Sequence, residues 1–122
     1  MNKFRDLRVY QKGVKYSRAI YEITAKFPRS EILGLTSQIR RASYSIVLNI
    51  AEGAGSGSVK EFHRFLDISQ RSTFEVMAGL DIAWEIGLIE DLDYQSNQQE
   101  AVEISVMLKG LQRSLKQNNA KR

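Results

Sequence analysis

Residue types that could carry out catalysis are few in this 122-residue chain and are not arranged as a site. His63 is the only histidine and there is no cysteine, so a thiolate metal site and a disulfide are both impossible. The carboxylates Asp81 and Glu85 have the i, i+4 spacing of a solvated helix face, and the Glu-x-x-His signature of di-iron bundles is absent. The sequence identifies no general base that could activate a hydroxyl group as a nucleophile. The sequence therefore predicts no catalytic residue, no metal, no cofactor and no enzymatic activity.

Cationic side chains are the stronger candidates for a functional site. The formal net charge is +4 at pH 7 and the sequence pI is about 9.5. Residues 1–41 carry ten basic and three acidic groups, residues 42–107 carry three and eleven, and residues 108–122 carry five and none. A positively charged surface attracts polyanions, and displaced counterions supply the main term of nucleic-acid affinity. Nothing in the sequence indicates base-specific recognition.

A strip of cations lies near the start of the chain, and its members are Arg5, Arg8, Lys12 and Lys15. At 100° per residue they fall within about 80° of arc on a helix, and we predict that the strip faces outward, opposite the apolar residues. Two interpretations remain open. The strip is either a solvated face, with Arg113 and Lys116 complementing the dipole of the last helix, or a phosphate-contacting surface.

The glycine-rich segment 51–58 invites comparison with phosphate-binding loops. It follows a helix rather than a strand and lacks the Gly-Lys-Ser/Thr ending of a P-loop, so we predict no nucleotide site there. Two alternatives remain. The segment is a flexible turn, or free N–H groups at the start of the next helix hold an anion or a backbone phosphate beside Lys60 and Arg64.

Four amphipathic helices must position these residues, because glycine and proline separate four segments of helical period. The first helix is predicted over about residues 6–26 and ends before Pro28. Its apolar stripe is predicted to comprise Leu7, Tyr10, Val14, Ser17, Tyr21 and Thr24. The second begins either at Ser30 or near Thr36, and its stripe comprises Leu35, Ile39, Ala42, Ile46, Asn49 and Gly53.

The third helix opens with a capping box, in which Ser58 is followed three residues later by Glu61, and it continues to Gly87. Its stripe comprises Phe62, Phe65, Ser69, Ser72, Val76, Gly79 and Ala83, broadened by Leu66, Thr73, Leu80 and Trp84. The fourth helix begins near Asp91 and carries Ala101, Ile104, Leu108, Leu111 and Leu115 in a 3-4-3-4 series.

Short connections between these helices predict an all-α fold, an antiparallel up-down-up-down four-helix bundle. One domain spans residues 1–122, with a frayed tail at about 117–122. The topology brings the start of the first helix, the loop between the second and third, and the end of the fourth to one end. The cations expected there are Lys3, Arg5, Arg8, Lys12, Lys60, Arg64, Arg113, Lys116, Lys121 and Arg122, diluted by Glu52, Glu61 and Asp67.

Several polar residues are predicted to serve assembly or structure, namely Glu31, Gln38, Arg40, Arg41, Asn49 and Glu52. A buried amide in an apolar stripe fixes register and partner number. We therefore expect Asn49 to be a core amide, bonded to nearby backbone or to Ser72, rather than a ligand residue. Arg40 and Arg41 project about 100° apart, so at least one points to a flank of the bundle. A pairing across a subunit interface and an intrachain salt bridge to Glu31 are equally open.

The sequence has no pattern of membrane insertion or secretion. The longest nearly apolar stretch, 45–51, is far shorter than the roughly 20 residues that a membrane span requires. Charges are scattered through the first residues, which lack the apolar core of a signal peptide. We expect no membrane association and a cytoplasmic location.

Motifs along nearly the whole chain resemble those of a known family. They comprise Leu7, Val9, Tyr10, Gln11, Phe27, Pro28, Glu31, Gly34, Leu35, Gln38, Ile39, Arg40, Arg41, Ala42, Ser45, Ile46, Asn49, Ile50, Ala51, Glu52, Gly53, Glu61, Phe62, Phe65, Leu66, Ser72, Met107, Leu108, Gly110 and Leu111. The sequence resembles the four-helix bundle family associated with intervening sequences in bacterial 23S ribosomal RNA genes. Val47 stands where that family often has proline, which predicts an unkinked second helix. Segment 54–57 lacks the basic residue common in relatives.

The resemblance implies a bundle fold and an assembly. The family is similar to the accessory bundle proteins of diversity-generating retroelements, which form homopentamers, are basic, and engage nucleic acid and a reverse transcriptase. A homo-oligomer, a pentamer by this likeness, and RNA or DNA as a partner are therefore implied.

Two functions from different classes follow, and a third has no residue pattern in its favour. The first is a non-enzymatic, homo-oligomeric helical bundle that binds nucleic acid, RNA above all, or a nucleoprotein through its basic end. The alternative is a protein-protein interaction adaptor that binds no nucleic acid and whose basic end serves an acidic protein partner. The third is a small-molecule or metal enzyme with its site in the bundle interior.

Overall fold

Four α-helices account for most of the structure, a computed structural model that describes residues 3–120 and the side chains of residues 3–116. They are α1, Arg8–Thr24, α2, Leu35–Ala54, α3, Val59–Glu85, and α4, Asp91–Ala120. Short 3-10 helices cover Lys3–Asp6 and Arg29–Glu31, and the described residues include no strand. The prediction of an all-α fold with four helices is confirmed. Lys121 and Arg122 lie outside the described residues, as do all side chains of the tail predicted at 117–122.

Helix boundaries follow the local signals in the sequence. The Ser58 hydroxyl accepts a hydrogen bond from the Glu61 N–H at 3.1 Å, which caps the start of α3 as predicted. Gly87 has a φ of 79°, a left-handed conformation that glycine adopts without strain, and it turns the chain from α3 into α4. The later of the two predicted starts for α2 is correct, since α2 begins at Leu35. It runs through Val47 as one continuous helix.

The predicted apolar stripe of α1 is correct only in part. Thr24 is buried and Leu7 and Tyr10 pack against the core, but Val14 and Tyr21 are 46% and 40% exposed. The fully buried face comprises Val9, Gly13, Tyr16, Ile20, Ile23 and Thr24. Both stripes have helical period, but a β-carbon at Gly13 would lie 3.6 Å from Val47 Cγ1, so the glycine lies in the contact between α1 and α2. Glycine has only a hydrogen atom as its side chain and therefore does not count as an apolar position in the sequence pattern. The pattern for this reason favoured the neighbouring face of the helix.

The core lies between all four helices, and glycines bring α2 and α3 close together. Its largest fully buried side chains include Ile20, Ile39, Ile46, Ile50, Leu66, Leu80, Ile104 and Leu108. A β-carbon at Gly79 would lie 2.7 Å from Ile39 Cγ1, and one at Gly53 would lie 2.8 Å from Phe65 Cβ. Both distances are below ordinary carbon contacts. The glycines of the predicted heptad positions are therefore points of close helix packing.

Each helix packs on the next one along the chain, and α1 also packs on α4. Hydrogen bonds or ion pairs across these contacts join Ser17 to Ser43, Thr24 to Arg40, Ser69 to Ile46, Ser72 to Ser45, Gln70 to Ser105, Met77 to Gln98 and Lys26 to Asp93. Within the described range, no helix has the length and apolar character needed to cross a bilayer.

Candidate nucleic-acid interface

The first 3-10 helix sits against the loop between α2 and α3. Lys3 lines a surface cavity of about 400 Å³ together with residues of the loop and of the start of α3, namely Gly53, Ala54, Gly57, Ser58, Val59 and Phe62. Lys60 is exposed one position beyond this cavity lining. Two stretches of chain that are more than 50 residues apart therefore bring their cations to the same place.

The second half of α4 completes this end of the molecule. Arg8 and Val9 of α1 line one cavity with Met107 and Leu111 of α4. On the other side of α4, the Gln112 amide donates to the His63 carbonyl at 3.2 Å and to Asp67 Oδ1 at 2.8 Å. We call the cations gathered here the basic pole, and its members are Lys3, Arg5, Arg8, Lys60, Arg64, Arg113 and Lys116, all exposed.

Arg64 is partly neutralised within the basic pole. Its guanidinium lies 3.0 Å from Glu61 Oε1 and stacks 4.6 Å above the centre of the Phe65 ring. The hydrogen bond from Arg64 lowers the pKa of the Glu61 carboxyl, and the same bond raises the pKa of Arg64. Asp6 and Glu52 are also exposed near this end, as is Asp67. The pole is therefore a mixed surface with an excess of positive charge.

The predicted outward-facing strip is wrong at Lys12. Its side chain is 24% exposed, and its Nζ pairs with Glu100 Oε2 and lies 3.9 Å from Glu103 Oε1. Because the buried face of α1 is rotated from the predicted one, Lys12 faces α4 instead of solvent. Lys15 is exposed but lines the same groove between α1 and α4, beside Tyr16. Only Arg5 and Arg8 of the strip belong to the basic pole.

Comparisons with known proteins place the chain in a family. A family model described as 23S rRNA-intervening sequence protein matches residues 5–110. The chain belongs to the 23S rRNA-intervening sequence protein family. A solved structure from Bacteroides thetaiotaomicron, a protein of unknown function from the S23 ribosomal protein family, matches with a TM-score of 0.80 and 22% identity over 86% of this chain and 95% of that one. At this identity the likeness shows the fold alone. No curated protein matches.

The two adjacent arginines of this family member have different environments. Arg40 is partly buried, donates from Nε to Thr24 Oγ1 at 2.8 Å, and stacks 4.1 Å above the centre of the Tyr21 ring. It therefore ties α2 to α1 within the chain, and its partner is not Glu31. The Glu31 carboxylate instead accepts from the Leu35 N–H at 3.3 Å.

The remaining predicted polar residues lie along α2. Arg41 is exposed. Gln38 donates to Glu75 Oε2 of α3, and Glu52 is exposed near the end of α2. Asn49 donates to the Ser45 carbonyl at 2.7 Å, so the predicted bond to nearby backbone is present. The amide is half-buried, however, so the prediction of a core position is wrong.

Sequence reasoning missed an aromatic and acidic groove at the turn between α3 and α4. Trp84 was expected to broaden a buried stripe, but it is 45% exposed and stacks on Tyr94 with ring centres 4.9 Å apart. The Tyr94 hydroxyl donates to Asp81 Oδ1 at 2.6 Å, and this bond raises the pKa of Tyr94. The two rings come from helices on either side of Gly87, so no single helical pattern predicts their stacking.

No group of three or more metal-binding side chains is close enough to hold an ion among the described residues. His63 Nδ1 lies 3.9 Å from Asp67 Oδ2 on the surface, which is a helical i, i+4 contact.

Proposed function

We propose that this protein is a non-enzymatic, homo-oligomeric helical bundle of the cytoplasm that binds nucleic acid, RNA above all, or a nucleoprotein through its basic pole. One observation carries the proposal: cations from three separate stretches of the chain meet at one end of the molecule. Phosphate backbones are attracted by such an excess of exposed positive charge without base-specific contacts. The family description names 23S rRNA, which makes a structured RNA the first polyanion to test.

We infer that the helices form the antiparallel up-down-up-down arrangement. Contacts across packed helices support it, because residue numbers fall along one helix as they rise along the other. Ser17 and Thr24 of α1 meet Ser43 and Arg40 of α2, in that order. For the number of subunits, we carry over the homopentamer of the retroelement accessory proteins that the sequence resembles.

Three exposed cations of the basic pole are the sharpest targets for mutation: Arg8, Arg113 and Lys116. Within the described part of the chain, none of them has an ion-pair partner. A cation that is free of a carboxylate has its full charge available to a phosphate. Removing these three side chains should therefore remove phosphate contacts while leaving the core and the helix contacts unchanged.

Fluorescence anisotropy titrations with a structured RNA and with duplex DNA, each at two salt concentrations, test the proposal. We expect affinity to fall steeply with salt, by a slope of about 0.9 per duplex phosphate contacted on logarithmic axes. The triple variant Arg8→Ala, Arg113→Ala, Lys116→Ala should reduce that slope by about 2 to 3. A control triple variant away from the pole, Lys26→Ala, Arg29→Ala, Arg71→Ala, loses the same formal charge and should keep the parent slope. It also removes the surface pair of Lys26 with Asp93, which costs up to about 1 kcal/mol of stability.

Two results would overturn the proposal. Absence of binding to either nucleic acid at low salt would leave the protein-protein adaptor, with an acidic protein at the basic pole, as the function to pursue. Equal losses in the two triple variants would mean that net charge, and not the pole, governs the binding.

A further inference from the structure

An exposed surface on α1 and α2 combines aromatic, apolar and cationic side chains. We call it the arginine–tyrosine face, and its members are Arg18, Tyr21, Arg41, Tyr44 and Leu48. Tyr44 is half-buried, and Arg18 Nε lies 3.6 Å from Glu22 Oε2 of its own helix, so the net positive charge of the face comes mainly from Arg41. The Tyr21 and Tyr44 rings lie 5.6 Å apart across the two helices. Positions 41, 44 and 48 share one side of α2, and Leu48 is 64% exposed. An exposed apolar and aromatic patch with a charged rim is typical of a protein interaction site.

A second exposed apolar surface lies on α3 and the start of α4 and has the opposite charge. It is a groove of about 480 Å³ lined by Asp81, Ile82, Trp84, Glu85, Ile86 and Tyr94, which we call the acidic groove. Ile82 and Ile86 are each more than half exposed. The groove thus presents two carboxylates beside a stacked aromatic pair and two aliphatic side chains.

We propose that the arginine–tyrosine face of one copy of this chain docks into the acidic groove of a second copy. The inference rests on the homo-oligomer of the proposed function and names its interface. Charge complementarity decides the pairing. If either face paired with itself, arginines would meet arginines or carboxylates would meet carboxylates, and like charges across an interface are strongly unfavourable. Each face therefore matches the other one, and the contact is heterologous.

The side chains of the two faces have complementary chemistry as well as complementary charge. A guanidinium forms paired hydrogen bonds with a carboxylate and stacks on aromatic rings, and the acidic groove offers both kinds of partner. Asp81 is held in place by bonds from Tyr94 and Gln98, whereas Glu85 has no hydrogen-bond partner within the described residues. Leu48 supplies exposed apolar area on the opposing face.

A heterologous contact has a consequence for the assembly. Repeated from copy to copy, it closes into a ring when the rotation fits a whole number of subunits, and otherwise grows into a filament. In a ring whose axis runs along the bundles, every basic pole lies on the same side. Phosphate contacts of several subunits would then act together on one polyanion.

Charge reversal on each face, with the mass measured by light scattering after size-exclusion chromatography, tests the interface. The first variant is Arg18→Glu with Arg41→Glu, and the second is Asp81→Lys with Glu85→Lys. Each should be monomeric at a concentration where the parent is oligomeric. Their equimolar mixture should regain a higher mass, because the reversed face of the first variant matches the reversed groove of the second, and the two unreversed surfaces match each other.

Two gentler variants keep the test decisive if a double reversal disturbs folding, which circular dichroism would reveal. Glu85→Lys alone leaves the bonds of Asp81 intact. Leu48→Gln should weaken self-association about ten- to a hundredfold, the value of burying one leucine. Its matched control is Leu33→Gln, at an even more exposed leucine outside both faces, which should keep the parent mass.

Each outcome decides between the proposals. A monomeric parent would overturn both this interface and the homo-oligomer. A parent oligomer that survives both reversals, or loses mass with only one of them, would overturn this interface and leave the homo-oligomer standing. Reversed variants whose mixture stays monomeric would overturn it too. If the parent protein has the mass of an oligomer but binds no RNA, only the nucleic-acid function would be overturned.

Discussion

Replacing Gly79 with alanine probes a close contact between α2 and α3. The new β-carbon would lie 2.7 Å from Cγ1 of Ile39 and 3.3 Å from its Cδ1. Non-bonded carbons are at their optimum at about 3.5–4.0 Å. Ile39 is fully buried between α2 and α3, so its side chain has no free space into which to move. Either the helices separate or the isoleucine takes a strained rotamer.

The expected loss of stability is the difference between two effects. Alanine gains about 1 kcal/mol over glycine in a helix interior. Overpacking a core costs about 1–3 kcal/mol, and the upper part of that range applies to so short a distance. We therefore expect a net loss of about 2 kcal/mol. Gly110 is the matched control, because it lies inside α4 and, among the described residues, nothing beyond its own neighbouring helix backbone lies within 4 Å of a new β-carbon, so alanine there should stabilise by up to about 1 kcal/mol.

Urea titrations followed by circular dichroism, at one fixed protein concentration, measure both changes as differences in the free energy of unfolding. A double-mutant cycle with Ile39→Ala isolates the contact. Because the truncated side chain leaves room for the new methyl group, Gly79→Ala should cost less in that background than in the parent. A Gly79→Ala variant as stable as the parent, or a cycle in which the two changes simply add, would refute this account of α2–α3 packing.

Three further predictions concern charge and protonation. Lys12→Ala removes the pairing with Glu100 and should cost up to about 1 kcal/mol in urea titrations, while the salt slope of RNA binding stays at the parent value; a reduced slope would return Lys12 to the interface. Glu61→Gln frees the Arg64 guanidinium, so RNA affinity at low salt should rise a few-fold in anisotropy titrations, and an unchanged affinity would remove Arg64 from the interface. Burial raises the pKa of Tyr16, so the native state keeps this proton where the unfolded chain loses it. Stability is then fully present below about pH 10 and falls above it by up to about 1.4 kcal/mol per pH unit. Tyr16→Phe should abolish this fall in urea titrations at alkaline pH, and an undiminished fall would assign it to another group.

The sequence predicts α3 and α4 well because their signals agree with one another. Ser58 caps the start of α3, Gly87 lies in the turn that follows α3, and α4 begins at Asp91 as expected. The series Ala101, Ile104 and Leu108 is fully buried. At these positions a local signal and a helical period point to the same boundary or face, and the packing agrees with both. Trp84 of α3 is the exception, because it is exposed although the pattern predicts it on the buried stripe.

The orientation of α1 could not be predicted in the same way. Its sequence offers two stripes of helical period, and the choice between them depends on which helices it meets. Gly13 is a weak signal by itself, yet it allows the close approach to Val47 that buries its side of the helix. The error carried over to Lys12, whose partner Glu100 is 88 residues away and has no local signature.

The acidic groove illustrates a different limit. Asp81 and Glu85 were interpreted as a solvated helix face, and both are indeed exposed. What the spacing could not reveal is the second wall, since Tyr94 reaches Trp84 only after the chain has turned at Gly87. Pairs of side chains within one helix are visible in sequence, whereas pairs across a turn depend on its geometry.

The short connections between the helices, residues 25–34, 55–58 and 86–90, also bear on how the chain folds. Neighbouring helices dock after closing only a small loop, whereas the packing of α1 on α4 joins segments far apart in the chain. Relative contact order is therefore low for most of the bundle, and we expect folding in the microsecond to millisecond range. Lys26 and Asp93 form an ion pair across this α1–α4 contact, so we expect their pairing to form late in folding.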